Sequence, residues 1–243
     1  MKQVHITLQG KGGIGKSYVS SLVAQNILDK KEPLICFDTD PINATLSGFK
    51  TLNVRTLDLM VDNRVNEGRF DEMVEIIHNE DSHFVVDTGA ASFVPLSNYI
   101  VQHEVLKMIS ESGKQPIIHT VIAGGFALKN TLSDFATIAE QMNEQLPGEA
   151  NIVVWLNEQF GKIENNGKTF EESKAYQAHK DKVISIVKLP RLNEDTYGKT
   201  IEELITNRHT FAEAMDSTTY RLMAKQRIKV YSRGVYEQMR GIC

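Results

Sequence analysis

Cysteine is nearly absent, with Cys36 and Cys243 the two examples in 243 residues. Two thiols so differently placed can build neither a disulfide scaffold nor a thiolate metal site, which fits a reducing cytosol. Long apolar runs are missing as well. The longest, residues 152–156, is far from the roughly 18 residues of a membrane span. No Pro/Ser-rich linker, internal repeat or low-complexity tract divides the chain, so a single domain over 1–243 is expected. An excess of positive charge is also lacking. The net charge of −4 argues against a protein that coats nucleic acid by overall charge, although a local basic patch remains open. The seven histidines are scattered without ligand spacing, and the opening residues show no secretion signal. With 41% apolar and 24% charged residues, the composition is that of a globular α/β protein with a large core.

Against this plain background stands the run GKGGIGKS at residues 10–17. It follows a strand-like apolar segment, residues 4–8, and precedes a helix-like stretch, which is where a phosphate-binding loop belongs. The pattern G-x-x-x-x-G-K-[ST] needs glycines so that backbone N–H groups can face a phosphate, a lysine to reach the β and γ phosphates, and a hydroxyl for Mg²⁺. Gly10, Gly15, Lys16 and Ser17 supply these, with Gly12, Gly13 and Ile14 between and Tyr18 following. A nucleotide with Mg²⁺ is the implied ligand.

Short β-branched runs alternate with longer amphipathic stretches along the rest of the chain, the pattern of a parallel sheet covered on both faces by helices. Strands are expected at 4–8, 33–38, 83–87, 116–122, 152–157 and 182–187. Helices are expected at 16–29, 70–78, 96–111, 128–145, 170–179 and 195–205. Residues 158–168 read as a long surface loop or lid. Trp155 and Cys36 belong to the expected core.

Ligands of such sheets bind at the carboxyl ends of the strands. The second strand ends in DTDP, placing Asp38 and Asp40 on one side of an extended segment before Pro41 breaks it. Two carboxylates aimed at a phosphate loop call for Mg²⁺ or a water to orient; the bland alternative is that they cap a turn. The third strand ends in Asp87, Thr88 and Gly89, and a later one in Asn157.

Lys11, inside the loop, gives K-G-G-x-G-K-[ST], which resembles the deviant P-loop of the ParA/MinD family of dimeric ATPases. The resemblance implies a doubly wound P-loop NTPase fold and an ATP-dependent homodimer in which Lys11 reaches the nucleotide of the other subunit. The bland alternative is that Lys11 merely adds positive charge to its own loop. DTDPINAT looks like the segment opening switch I in that family, which makes Asp40 the group positioning the attacking water. In this chain a single residue, Ile42, separates Pro41 from Asn43 where many members have a longer spacing. Asp87 resembles a Walker B carboxylate supporting Mg²⁺ together with Ser17 and Asp40. Asn157 matches the family's adenine-reading amide, and Leu189, Pro190 and Arg191 resemble the loop that packs over the base. Lys11, Lys16, Asp40 and Asp87 are thus the expected catalytic group. Gln9 before the loop and Tyr18 after Ser17 look most like the TraL-type proteins of conjugative plasmids, which implies a cytoplasmic ATPase with a protein partner in a DNA-transfer apparatus.

The stretch 218–243 is the place for partner specificity. Ala224, Ile228, Tyr231, Val235 and Met239 recur at helical spacing, while Arg221, Lys225, Arg227, Lys229, Arg233 and Arg240 make the remainder basic. Three readings stay open: a terminal helix docked on the sheet, a membrane-surface helix at the inner face of a membrane, which Gly234 would interrupt, or a DNA-backbone contact. Two rival functions remain as well. One is a metabolic P-loop enzyme using ATP on a small molecule, as in the dethiobiotin synthetase-like relatives; the other is a nucleotide-binding scaffold without hydrolysis.

Overall fold

The computed structural model describes residues 1–40, 43–57, 59–61 and 64–242. Pro41, Ile42 and Cys243, named above, lie outside the described residues.

The chain opens with β1 (Gln3–Thr7), the phosphate loop and α1 (Lys16–Asp29), followed by β2 (Leu34–Asp38) and a short β3 (Arg55–Thr56). A small antiparallel pair, β4 (Met60–Val61) and β5 (Arg64–Val65), leads into α2 (Glu67–Asn79) and β6 (His83–Asp87). Then come α3 (Phe93–Gln102), α4 (Val105–Glu111), β7 (Gln115–Ala123), α5 (Leu128–Gln145) and β8 (Ile152–Asn157). The hairpin β9 (Glu164–Asn165) and β10 (Lys168–Thr169) precedes α6 (Lys174–His179) and β11 (Val183–Leu189). Three helices, α7 (Lys199–Thr206), α8 (Phe211–Asp216) and α9 (Leu222–Gln238), complete the described chain.

Seven strands form one parallel sheet in the order β11-β8-β7-β1-β6-β2-β3. The doubly wound α/β architecture expected from the sequence is what the chain adopts. Because the sheet is buried on both sides, its strands are apolar on both faces, and successive residues feed different cores. Val4, Ile6, Phe84, Val86 and Ile118 pack with α2 to α6, whereas Val85, Ile117, Val121, Val153 and Trp155 pack with α1, α7, α8 and α9. Cys36 is buried in the second core, where burial pushes its thiol up to about 12 and leaves it inert at neutral pH.

Four expectations change. The stretch 96–111, read as one helix, is two: α3 stops at Gln102, and Glu104 takes a left-handed conformation (φ 48°) before α4. The helix expected over 170–179 begins only at Lys174, where the Ser173 side chain caps it by accepting from the N–H of Tyr176. A π turn at Glu194–Gly198 replaces the start of the helix expected at 195. The surface segment 158–168 carries the first hairpin strand and the start of the second, and Ile163 and Phe170, on either side of that hairpin, are buried in the core that includes α5, which anchors the hairpin.

Residues 222–238 form a helix that runs unbroken through Gly234. Its stripe faces the sheet: Ile228, Val235 and Met239 are buried, and Ala224 and Tyr231 pack beside them. The Gln238 amide pairs with both backbone groups of Lys188 on β11. The docked reading of this segment is therefore the observed one. A membrane-surface helix would need that stripe free. Among the described residues no helix is long and apolar enough to cross a membrane.

Candidate nucleotide site

The loop after β1 sits where the winding reverses: from β1 the chain goes first to β2 and β6 on one side, then to β7, β8 and β11 on the other. That is the switch point at which ligands of open parallel sheets bind. Gln9, fully buried, fixes the loop's entry. Its side-chain oxygen accepts from the Thr120 hydroxyl (2.6 Å) and the Val121 N–H (3.2 Å), while its amide donates to Asp134 (2.7 Å). The same Asp134 oxygen accepts from the N–H of Gly10 at 3.1 Å. At the exit, α1 starts at Lys16 without any side-chain cap, so its first N–H groups point at the loop's interior unclaimed by side chains.

Lys16 is 7% exposed, and its ammonium donates to the carbonyl of Lys11 at 3.0 Å. Burial lowers its pKa, against the pull of Asp87, Asp40 and Asp134. Below it lies Asp87 at the end of β6, wholly buried. One of its oxygens accepts from Ser20 at 2.9 Å; the other, Oδ2, has no hydrogen-bond partner of good geometry. Burial raises this carboxyl to about 7, a rise that the nearby Ser17 and Ser20 hydroxyls and Lys16 only moderate. An orphaned carboxylate oxygen beside a serine hydroxyl is a poor arrangement for an isolated protein and a good one for a hydrated divalent cation, so the residues present fit Mg²⁺.

The pair at the end of β2 divides. Asp38 is buried and its carboxylate accepts from the N–H groups of Ser47 (2.9 Å) and Asp40 (3.2 Å), which ties down the following loop. Asp40 alone of the two lines the cleft over the phosphate loop. It rests on Gly89, where a Cβ would stand 2.7 Å from its carboxyl carbon. Only glycine at 89 leaves Asp40 this seat.

Two adjoining hollows of ≈ 490 and ≈ 520 Å³ share Gly13, Gly15, Tyr18 and Ile205 and together make one bent groove around the loop. The first holds Gly12, Lys16, Ser17 and Asp40; the second holds Asn157, Leu189, Leu192 and Tyr231. Asn157 donates to the carbonyl of Ile14 at 3.0 Å and accepts from the N–H of Gln159 at 3.2 Å. Each bond uses one of the two donors or acceptors an amide owns. Pro190 and Arg191 stand outside the groove. Arg191 is exposed and paired with Glu194, and Pro190 contributes its carbonyl to Gln159. Lys11 does not line the groove either; its ammonium lies 5.4 Å from the centroid of Phe126, an aromatic ring 75% exposed. Sequence reasoning missed Asp134, Phe126 and Arg208, the last of which lines the hollow that holds Lys16 and Ser17.

Two proteins named TraL from Escherichia coli are 44% and 41% identical to the chain over 239 residues, 98% of this chain and 98% of each relative. The chain belongs to the TraL family. The match runs almost end to end. The TraL-family chain also has the fold of the MinD cell division protein of Aquifex aeolicus, with a TM-score of 0.52 at 15% identity over 97% of each chain. No protein-family model matches it.

Proposed function

We propose that the protein is an ATP-dependent dimerisation switch of the ParA/MinD type that serves plasmid conjugal transfer from the cytoplasm. The observation that carries this reading is the buried oxygen of Asp87, beside Ser17 and without a hydrogen bond of good geometry, beneath a complete phosphate loop. It is an arrangement that is unfavourable when empty and completed by Mg²⁺–nucleotide, so binding and stability are linked.

In this reading the N–H groups of residues 12–17 and the Lys16 ammonium hold the phosphates. Ser17 and Asp87, with Asp40 at the rim, hold the metal. Mg²⁺ supplies charge neutralisation of the β and γ phosphates. Asp40, seated on Gly89, orients the attacking water. Asn157 keeps its bond to Ile14 and offers the remaining amide hydrogen and lone pair to the base, between the walls made by Leu189, Leu192 and Tyr18. Lys11 leaves Phe126 and reaches the nucleotide of a second copy, neutralising charge in the manner of an arginine finger. Hydrolysis then times the disassembly of the dimer from its partner in the DNA-transfer apparatus. The basic outer side of α9 is offered to an anionic partner, with a phosphate backbone the better match now that the apolar stripe is covered. A dimer doubles that charge, so nucleotide state sets avidity.

Size-exclusion chromatography with light scattering tests this on wild type and Asp40→Ala, each with ADP and with ATP–Mg²⁺. The expected result is a dimer in ATP alone, more persistent in the variant. An unchanged mass in every state would refute the switch and favour an enzyme acting on a small molecule.

A further inference from the structure

We infer that Arg208 is a second phosphate-binding cation of the nucleotide site, delivered within the same chain from the turn between α7 and α8. The inference rests on the nucleotide reading given above and adds to it a residue far from every recognised motif.

Three observations converge on this side chain. First, Arg208 lines the hollow that contains Lys16, Ser17 and Asp40. Second, its backbone is left-handed, φ 55°. The N–H of Arg208 donates to the carbonyl of Ile205 and that of His209 to Leu204, the paired bonds of a Schellman cap, whose left-handed position is normally glycine. An arginine there is disfavoured relative to glycine, and a strained residue kept in a binding cleft points to use of its side chain. The other non-glycine residues with positive φ, Lys31, Asn53, Glu104 and Asn166, are all exposed, and none lines this hollow. Third, room has been made for it. A Cβ on Gly48 would lie 3.0 Å from Cγ and 3.2 Å from Cδ of Arg208, so the arginine stem crosses the loop after Asp40 where there is no side chain.

The guanidinium has no ion pair or hydrogen bond among the described residues. Among the described residues that line the hollow, Lys16 and Arg208 are the cations and Asp40 the carboxylate, and two such donors facing one cleft suit the polyphosphate chain of a nucleotide. Because Arg208 crosses Gly48, its engagement would also steady the segment 43–49 that follows the water-orienting carboxylate.

Calorimetric titration of the full chain with a non-hydrolysable ATP analogue, ADP and adenosine, each with Mg²⁺, decides the matter when combined with thermal melts of the nucleotide-free proteins. Arg208→Gln and Arg208→Gly are expected to bind both phosphorylated ligands about tenfold or more weakly and adenosine unchanged. Arg208→Lys should retain most of the affinity. Arg208→Gly, relieved of the left-handed arginine, should melt roughly 2–4 °C higher than wild type. Loss of phosphate binding in a stabilised variant is a result that a merely structural arginine cannot give. Variants that bind ATP analogue and ADP like wild type would overturn the inference, as would a parallel loss of adenosine binding. A wild-type chain that binds no nucleotide would refute the nucleotide reading itself, and this inference with it.

Discussion

Two buried polar clusters share strand β1 and the same face of the sheet, and they differ in one respect. The lower one is built on His5: the Trp155 indole N–H donates to Nδ1 of His119 (2.9 Å), so Nε2 of His119 carries the proton and donates to Nδ1 of His5 (2.9 Å). The upper one is built on Thr7, whose hydroxyl pairs with Ser20 (2.8 Å), which donates to Asp87. Each cluster ends in an orphan, Nε2 of His5 below and Oδ2 of Asp87 above. The lower orphan is sealed in the core. The upper one lies beside Ser17 and Lys16, both of which line the hollow around the phosphate loop. On the proposed function, an unsatisfied buried atom is a standing cost in the first case and in the second one that Mg²⁺–nucleotide would recover.

Acid separates the two most sharply. Burial holds His119 down at about 3, and His5 falls well below its ordinary value for the same reason, helped by its neighbour. Between pH 6.5 and 3 the unfolded chain takes up protons at these histidines that the folded chain refuses, so stability falls as pH drops through that window. His119 alone accounts for up to about 5 kcal/mol of it. Urea titrations at stepped pH are expected to show a shallower acid limb in His119→Gln, even if that variant is weaker at pH 7. An unchanged limb would mean that the lower cluster is not sealed.

Asp87 works in the opposite direction. Its carboxyl, raised by burial to about 7, keeps in the folded state a proton that the unfolded chain releases near pH 4. Its contribution to stability is therefore fullest at low pH and declines as pH rises toward 7, by up to about 4 kcal/mol. Asp87→Asn imitates the protonated form. In nucleotide-free protein its advantage over wild type should be near zero at pH 4 and grow toward pH 7, while Mg²⁺–nucleotide binding is lost. The same melts with Mg²⁺ and ATP present should reverse the order. If wild type gains nothing from Mg²⁺–ATP, the upper orphan is as sealed as the lower one.

What the sequence made legible follows from the same contrast. The phosphate loop, Asp40 and Asp87 lie next to the strands that carry them, and each position has a local requirement that narrows its residue type. β6 and β8 end where expected because apolar runs stop at Asp87 and Asn157. Asp134 and Arg208 were invisible because long crossovers bring them to the loop, and neither occupies a motif. The stripe of 96–111 continues across His103 and Glu104, so periodicity alone could not reveal the left-handed break. Gly234 misled in the other direction. A mid-helix glycine costs about 1 kcal/mol, and the burial of Ile228, Val235 and Met239 around it outweighs that.

The smallest expected effect lies at the rim, where a third polar group is held in reserve. Lys11 lies over Phe126, and Phe160 meets that ring edge-on with centroids 6.4 Å apart. An exposed cation–π contact is worth about 0.5–1 kcal/mol. If Lys11 of each copy must leave its ring to serve the other, the two contacts together oppose dimerisation by about 1–2 kcal/mol. Phe126→Ala should then cost the monomer no more than about 1 kcal/mol and tighten the ATP-state dimer roughly five- to thirtyfold, read by analytical ultracentrifugation. The gain should vanish in Lys11→Ala, since it depends on the freed ammonium. A dimer weakened by Phe126→Ala would instead make the ring part of the contact, and the reserve would then belong to the interface rather than to the monomer.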